Sequence, residues 1–187
     1  MTIHEFVNSS FVNNRQSLDL QLAMPRSRTF EWDEPVPMRE HALELSGLEL
    51  LQRAIAGQFP PPPIAKLMDI RLAEVARGRA IFSGTPQEFH YNPLGSVHGG
   101  YGATLLDSAM GCAVHSTLGP GDIYTTLEFK INFLRALTHQ TGPVRAVGTV
   151  INETRTTALA EGRIEDATGK LYAFATTTCA IRRAGPA

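Results

Sequence analysis

The sequence predicts an α+β domain in which an antiparallel sheet curls around one long helix. Three observations support this prediction. A hairpin pattern surrounds Arg77-Gly78, a helical pattern of about five turns follows a glycine pair, and alternating strand patterns follow the helix. The predicted strands are residues 70–76, 79–83, 125–133, 144–151, 157–164 and 171–181.

The predicted helix carries apolar residues at i, i+3 and i+4 spacing, at Leu105, Leu106, Ala109, Met110, Ala113 and Val114. Its other positions are mostly small, which lets neighbouring backbones approach closely and predicts a helix buried on several sides. Asp107 is the exception. Its neighbours three and four residues away include no Lys or Arg, so a helical ion pair does not explain it.

Two interpretations of Asp107 follow from the pattern. In the structural one, the carboxylate reaches solvent at a groove or accepts a buried hydrogen bond. In the functional one, it works with Gly99 and Gly100, where exposed backbone N–H groups at a helix N-terminus suit an oxyanion. A carboxylate and an oxyanion hole are the minimum apparatus for acyl transfer from a thioester, with the acid as nucleophile or as base for water.

The motif also resembles a known family. Asn92, Gly95, His98-Gly99-Gly100 and Asp107, followed by a strand beginning Tyr124-Thr125-Thr126, resemble the hotdog-fold acyl-coenzyme A thioesterases of the phenylacetate-pathway (PaaI-like) type. The resemblance extends over roughly residues 40 to 183. It implies a curved antiparallel sheet wrapped around a central helix, with an N-terminal helical extension here. It also implies hydrolysis of acyl-CoA to free acid and CoA, with no cofactor because CoA is part of the substrate.

The resemblance suggests roles for individual residues. Asp107 is the catalytic acid, the Gly99 N–H polarises the carbonyl, and Asn92 and His98 position the reactants. Thr126 lies beside the acid, or Thr125 if the strand register slips. The predicted substrate-binding residues are Gly100, Tyr101, Thr125, Arg135 and Arg155. The sequence does not decide which basic residues bind the CoA phosphates and which are only surface charges, and the candidates are Lys130, Arg135, Arg155, Arg163, Arg182 and Arg183.

Structural interpretations stand beside some of these roles. Asn92 can simply shape a turn with Pro93. On the strand 125–133, strict alternation puts Thr126 and Glu128 on a polar face opposite Leu127, and such a face is often only solvated. Glu128 is a second candidate acid. Acyl specificity is expected to depend on pocket-facing residues such as Tyr101, Met110 and Phe133.

Composition narrows the functional class. Lys and Arg total 17 against 18 Asp and Glu, which provides no basic field for nucleic acid or an anionic membrane. The N-terminal residues lack a signal-peptide pattern, and Cys112 and Cys179 are unclustered, so we expect a cytoplasmic protein with free thiols. No His or Cys spacing indicates a metal site, and Gly-x-Ser-x-Gly is absent.

The chain is expected to have one main domain with an extension. We assign residues 1–38 to an N-terminal arm, 39–63 to an amphipathic helix and a Pro-rich connector, 64–183 to the main domain and 184–187 to a tail. The amphipathic pattern runs from Met38 to Phe59, and its helix is expected to end at Gly57. The prolines at 60–63 predict an extended connector.

Helix geometry predicts a homodimer. Gly99 and Asp107 are eight residues apart, roughly 12 Å along one helix, whereas both must lie within about 3 Å of one carbonyl. Antiparallel helices of two subunits would bring the two groups together in two shared sites. The resemblance implies the same arrangement, because related enzymes build their sites between subunits and often pair dimers into tetramers. The alternatives to a thioesterase are a hotdog hydratase or dehydratase and a non-catalytic acyl-CoA binding or sensing protein.

Overall fold

The computed structural model describes residues 25–34 and 38–185. In chain order their helices and strands are α1 (Met38–Ala42), α2 (Gly47–Ile55), α3 (Pro63–Met68), β1 (Ile70–Ala76), β2 (Arg79–Gly84), α4 (Gly99–His115), β3 (Ile123–Phe133), β4 (Val144–Glu153), β5 (Thr157–Asp166) and β6 (Leu171–Arg182). Short 3-10 turns lie at Glu88–His90 and His139–Thr141. Most of the predicted N-terminal arm lies outside the described residues.

The six strands form one sheet in the order β1-β2-β4-β5-β6-β3, and every neighbouring pair is antiparallel. Strands β1 and β3 are therefore the two edges. Helix α4 packs across the sheet, with its closest association on β4 and β2. The predicted α+β architecture, with a curved sheet around one long helix, is confirmed.

The predicted apolar face of α4 is the centre of the core. Its side chains are fully buried at Leu105, Leu106, Ala109, Met110, Ala113 and Val114. Gly148 on β4 shows how closely the layers approach, because a Cβ there would lie 2.4 Å from backbone atoms of Ala109. Small residues at this contact let the sheet curl around the helix.

The predicted helix from Met38 to Phe59 is two helices, because Ser46 starts a new one. The Ser46 hydroxyl accepts the Glu49 N–H, and the Glu49 carboxylate accepts the Ser46 N–H, which makes a reciprocal capping box. Gly47 then donates its N–H to Leu118 just beyond α4, at 3.0 Å. The predicted ending is correct, since α2 stops at Ile55 and Gly57 has a φ of 76°.

The proline run is only partly the extended connector that we expected. Pro62 is extended, but Pro63 is the first residue of α3. Proline suits that position because the first helical N–H has no intrahelical acceptor and the ring presets a helical φ. Residues 85–95 form a loop that contains the 3-10 turn at Glu88–His90.

Strand β3 departs from strict alternation through a β-bulge between Thr126 and Glu128. The extra residue shifts the face of the strand that follows it. Thr126 is consequently half-buried, on the same face as Phe129, whereas Leu127 is 62% exposed. The predicted assignment of Thr126 to the polar face is therefore wrong, because the bulge turns it toward α4.

Candidate active site

The loop before α4 is organised by Asn92. Its Oδ1 accepts the backbone N–H groups of Leu94 at 2.9 Å and Ser96 at 3.3 Å, and its Nδ2 donates to Ser96 Oγ at 3.1 Å. The Asn92 backbone N–H also donates to Ser96 O at 2.7 Å, and Gly95 has a φ of 81°. The turn-shaping interpretation of Asn92 therefore has a direct structural basis, while part of its amide remains open to a substrate contact.

His98 caps the N-terminus of α4. Its Nδ1 accepts the Gly100 N–H at 2.8 Å, so in the neutral ring the proton lies on Nε2. The Gly100 N–H is thereby occupied. The Gly99 N–H makes no hydrogen bond to any described residue, which leaves this helix-terminal donor available.

Gly99 also faces an aromatic ring. A Cβ at Gly99 would lie 2.9 Å from Cζ of Phe133, at the end of β3, so the missing side chain lets that ring approach the start of α4. Phe133 itself is 55% exposed. The open N–H of Gly99 therefore lies next to a partly exposed apolar surface.

A cavity of about 470 Å³ opens at this end of α4. Its walls combine the loop, the start of α4, the segment after β3, and residues of β5 and β6: Asn92, Ser96, Val97, His98, Gly99, Gly102, Phe133, Leu134, Arg135, Ala136, Leu137, Ile164, Tyr172 and Ala173. The lining is mainly apolar, with a few polar groups beside Gly99. Such a lining suits an apolar ligand whose polar end is held in one orientation.

Asp107 lies two turns farther along α4 and is half-buried. The Thr126 hydroxyl donates to its Oδ1 at 3.0 Å, across from β3. No Lys or Arg of the described residues forms an ion pair with Asp107, and its Oδ2 makes no hydrogen bond to them. The structure thus brings Asp107 and Thr126 together in a setting that leaves one carboxylate oxygen open.

The surroundings of Asp107 include three groups to which the sequence assigned no role in the site. Cys179 on β6 lies 4.0 Å from Thr126 Oγ1, and the ring of Tyr124 packs against Gly111 of α4. Burial, with a smaller contribution from the charge of Asp107, raises the pKa of the Cys112 thiol to about 12. Burial also raises the pKa of Tyr124 well above its usual value. Both groups are uncharged at physiological pH, so neither compensates the negative charge of the Asp107 carboxylate.

The remaining predicted substrate-binding residues are dispersed. Tyr101 is 1% exposed and its ring packs on His90 in the core, outside the cavity lining. Arg135 lines the cavity and donates to Leu171 O at 2.5 Å. Thr125 and Arg155 are exposed at the surface, and neither lines the cavity.

Glu128, the second candidate acid, is exposed on β3, and its Oε1 accepts the Thr178 N–H at 3.1 Å. It lies on the opposite face of the strand from Thr126 because of the bulge. Asp107, which projects from α4 toward Thr126, is therefore the acid on the inner side of β3.

Gly99 and Asp107 belong to the same continuous helix, so the open N–H and the carboxylate are about 12 Å apart along its axis. A single carbonyl cannot contact both groups within one subunit. Within residues 25–34 and 38–185, no cluster of His, Cys, Asp and Glu that could hold a metal ion is formed. None of the described helices is long and apolar enough to cross a membrane.

Comparison with known proteins shows the family of this chain. The family described as the Thioesterase superfamily matches residues 94–173, a range that contains His98, Gly99, Asp107 and Thr126. A protein of Saccharolobus solfataricus named as an esterase is 31% identical over 112 residues, which cover 60% of this chain and 78% of that protein. The chain belongs to the thioesterase superfamily.

Two further similarities refine the place of this thioesterase in its superfamily. A 1,4-dihydroxy-2-naphthoyl-CoA hydrolase of Listeria monocytogenes is 27% identical over 64% of this chain and 96% of that protein. The phenylacetic acid degradation protein PaaI of Thermus thermophilus, solved as an N33D mutant, is 27% identical with a TM-score of 0.58. That match covers 66% of this chain and all of the other, 100%.

These matches confirm the predicted hotdog fold and the predicted PaaI-like family. The protein is a thioester hydrolase. The matched family and its named relatives favour a hydrolase over the hydratase, dehydratase and non-catalytic binding alternatives.

Proposed function

We propose that this thioesterase hydrolyses acyl-CoA, with Asp107 as the catalytic acid and the Gly99 N–H as the oxyanion donor. The observation that carries the proposal is the pairing of Asp107 with the Thr126 hydroxyl at 3.0 Å in a half-buried position, on the helix whose first N–H is open. The hydroxyl donates to one carboxylate oxygen, and the other oxygen is free to act on water or on the thioester carbonyl. The CoA hydrolase named among the relatives supports a CoA ester as the substrate.

In this mechanism the thioester carbonyl oxygen accepts the Gly99 N–H, which stabilises the negative charge of the tetrahedral intermediate. Asp107 takes a proton from the attacking water, or attacks the carbonyl itself to form an anhydride that water then opens. The C–S bond breaks, the acid is released, and the CoA thiolate takes up a proton. His98 and Asn92 hold the loop that presents Gly99.

We propose that the acyl group enters the cavity beside Gly99. Its walls are apolar at Val97, Phe133, Ile164 and Ala173, and its volume of about 470 Å³ is within the usual range for small-molecule pockets. Arg135 lies at the same cavity and supplies a positive charge near the entering ester.

The 12 Å separation of Gly99 and Asp107 supports a site built between two subunits. We propose a homodimer in which Gly99 of one subunit lies beside the partner's Asp107, and a dimer of dimers is compatible with the same contact. Strand β3 supports this arrangement because it is an edge of the sheet, eleven residues long, with an exposed apolar residue at Leu127.

The activity is tested with a panel of aryl and aliphatic acyl-CoA esters, measuring released thiol with the wild-type protein and Asp107→Asn. We expect the wild type to hydrolyse at least one ester and Asp107→Asn to be nearly inactive on it. Equal release by the two proteins would exclude Asp107 as the catalytic acid.

The shared site is tested by co-expressing Asn92→Ala and Asp107→Asn subunits with different tags and purifying the mixed dimer. One of its two sites carries both defects and the other carries neither, so we expect about half of the wild-type activity, which is more than either parent shows. A mixed dimer as inactive as both parents, with all three proteins folded and dimeric, would contradict the arrangement.

A further inference from the structure

An N-terminal segment, residues 25–34, lies outside the range that matches the superfamily, yet it contacts the main domain through charged side chains. We call this segment the strap. Lys66 on α3 pairs with Asp33 of the strap at 2.9 Å, and Arg26 pairs with Glu88. The strap thus connects α3 to the 3-10 turn at Glu88–His90.

Arg28 is the central anchor of the strap. Its guanidinium donates to the backbone carbonyls of Leu67 at 2.8 Å and Lys66 at 3.1 Å, near the C-terminal end of α3. The carbonyls in the last turn of a helix carry its negative dipole end, so a forked cation suits them. The same guanidinium lies 4.0 Å from the centroid of the Phe89 ring. Arg28 therefore fixes the 3-10 turn relative to α3.

The 3-10 turn is in direct contact with the start of α4 and with the loop that ends at His98. The ring of Phe89 meets His90 edge-on at 4.3 Å between centroids, and His90 packs on Tyr101 of α4 at 4.4 Å. The His90 carbonyl accepts the His98 N–H at 2.7 Å. His98 is the N-cap residue directly before Gly99.

His90 is itself held in one position. Its Nδ1 accepts the Gln87 N–H at 3.0 Å, and the residue is only 8% exposed. Burial, together with the nearby positive charge of Arg28, lowers the pKa of His90. The imidazole is therefore neutral, and it adds no charge beside the loop.

We propose that Arg28 is a positioning residue for catalysis, and that the strap holds the 88–90 turn so that the Gly99 N–H points at the substrate carbonyl. This inference rests on the proposed oxyanion role of Gly99. Small displacements of a positioned donor weaken transition-state binding more than substrate binding, so the effect belongs mainly in kcat.

The test compares Arg28→Ala and Arg28→Lys with Arg145→Ala in the full-length protein. Arg145 is a matched control because it is also a partly exposed arginine, paired with Glu74 at 2.9 Å on the β1–β4 side of the sheet. We expect Arg28→Ala to lower kcat about tenfold with KM within about twofold of the wild type. Arg28→Lys should recover part of the loss, because lysine restores the charge but lacks the fork. Arg145→Ala should leave kcat unchanged.

A second measurement follows hydrogen exchange of the His98 amide, which donates to His90. We expect it to exchange about tenfold faster in Arg28→Ala and at the wild-type rate in Arg145→Ala. Phe89→Leu, which removes the ring but keeps an apolar residue at this half-exposed position, should accelerate the same amide. Wild-type kcat and wild-type His98 exchange in Arg28→Ala would overturn the proposal, as would lower kcat with unchanged exchange.

The same assays separate this inference from the proposed function. Asp107→Asn is measured in parallel, and full activity of that variant would remove the catalytic assignment while the exchange rates still report on the strap. If Asp107→Asn is inactive and Arg28→Ala matches the wild type in both measurements, the strap proposal alone fails.

Discussion

The two halves of the candidate site use their polar groups in opposite ways. The loop half consists of Asn92, His98 and Gly99. There the side chains of Asn92 and His98 accept backbone N–H groups, and the Gly99 N–H stays open. The helix half consists of Asp107 and Thr126. There the Thr126 hydroxyl donates to one oxygen of the Asp107 carboxylate, and the other oxygen stays open. The loop half supplies an uncharged hydrogen-bond donor that several hydrogen bonds hold in place. The helix half supplies a charged carboxylate that a single hydrogen bond from Thr126 holds.

This difference explains why the two halves should respond differently to substitution. A donor fixed by several hydrogen bonds loses only part of its geometry when one contact is removed. The hydrogen-bond partners of a catalytic carboxylate cannot take over its charge when it is removed. We therefore expect the largest effects in the helix half.

The largest effect is expected at Asp107. Asp107→Asn keeps the side-chain volume and removes the ionisable oxygen, so kcat should fall about a hundredfold or more while KM changes little. Glu128→Gln is the matched control on β3, since among the described residues its carboxylate accepts the Thr178 N–H and no other donor. We expect it to keep nearly full activity. A loss of less than about tenfold in Asp107→Asn would assign that residue a structural role.

An intermediate effect is expected at Thr126. Thr126→Val removes the hydrogen bond to Asp107 without changing the side-chain shape, and kcat should fall about tenfold, because hydrogen bonds to charged groups are worth more than neutral ones. Thr126→Ser keeps the hydroxyl and should recover most of the rate. Equal rates for the valine and serine variants would show that the hydroxyl does not support the acid.

The smallest effect concerns stability at the cavity in the loop half, where Tyr172 donates its hydroxyl to Asp166 at 3.0 Å. The Thr168 hydroxyl is the main cause that lowers the pKa of Asp166 from 3.8 to about 2, with backbone N–H groups assisting. The ionised carboxylate is therefore favoured in the folded state. Its contribution is complete above about pH 4 and is lost as the pH falls through about 2.

Asp166→Asn should accordingly lower the Tm by a few degrees at pH 7, and the difference from the wild type should shrink toward pH 2. Thr168→Val, which removes the main donor, should reproduce part of this pH-dependent loss. Thermal unfolding of the three proteins across this pH range measures the effect. A Tm difference that stays constant down to pH 2 would rule out ionisation of Asp166 as its source.

The sequence by itself determined the layout of the domain. The long helix and its buried face follow from apolar residues at i, i+3 and i+4, and the six strands follow from alternation bounded by glycine turns. Asp107 could be singled out because an unpaired acid on a buried helix is rare enough to require a reason. Gly99 could be singled out because glycine pairs at a helix start expose donors.

Only the tertiary structure decided which side chains meet. The bulge in β3 reverses the face of Thr126, and no local pattern marks an inserted residue before the partner strand is paired. Tyr101 lies in the core because the fold surrounds it with His90 and Gly84. Its position beside the glycine pair had suggested a contact with the substrate. The contacts of Arg28 join residues about forty apart, so they arise from packing and leave no periodic signal in the chain.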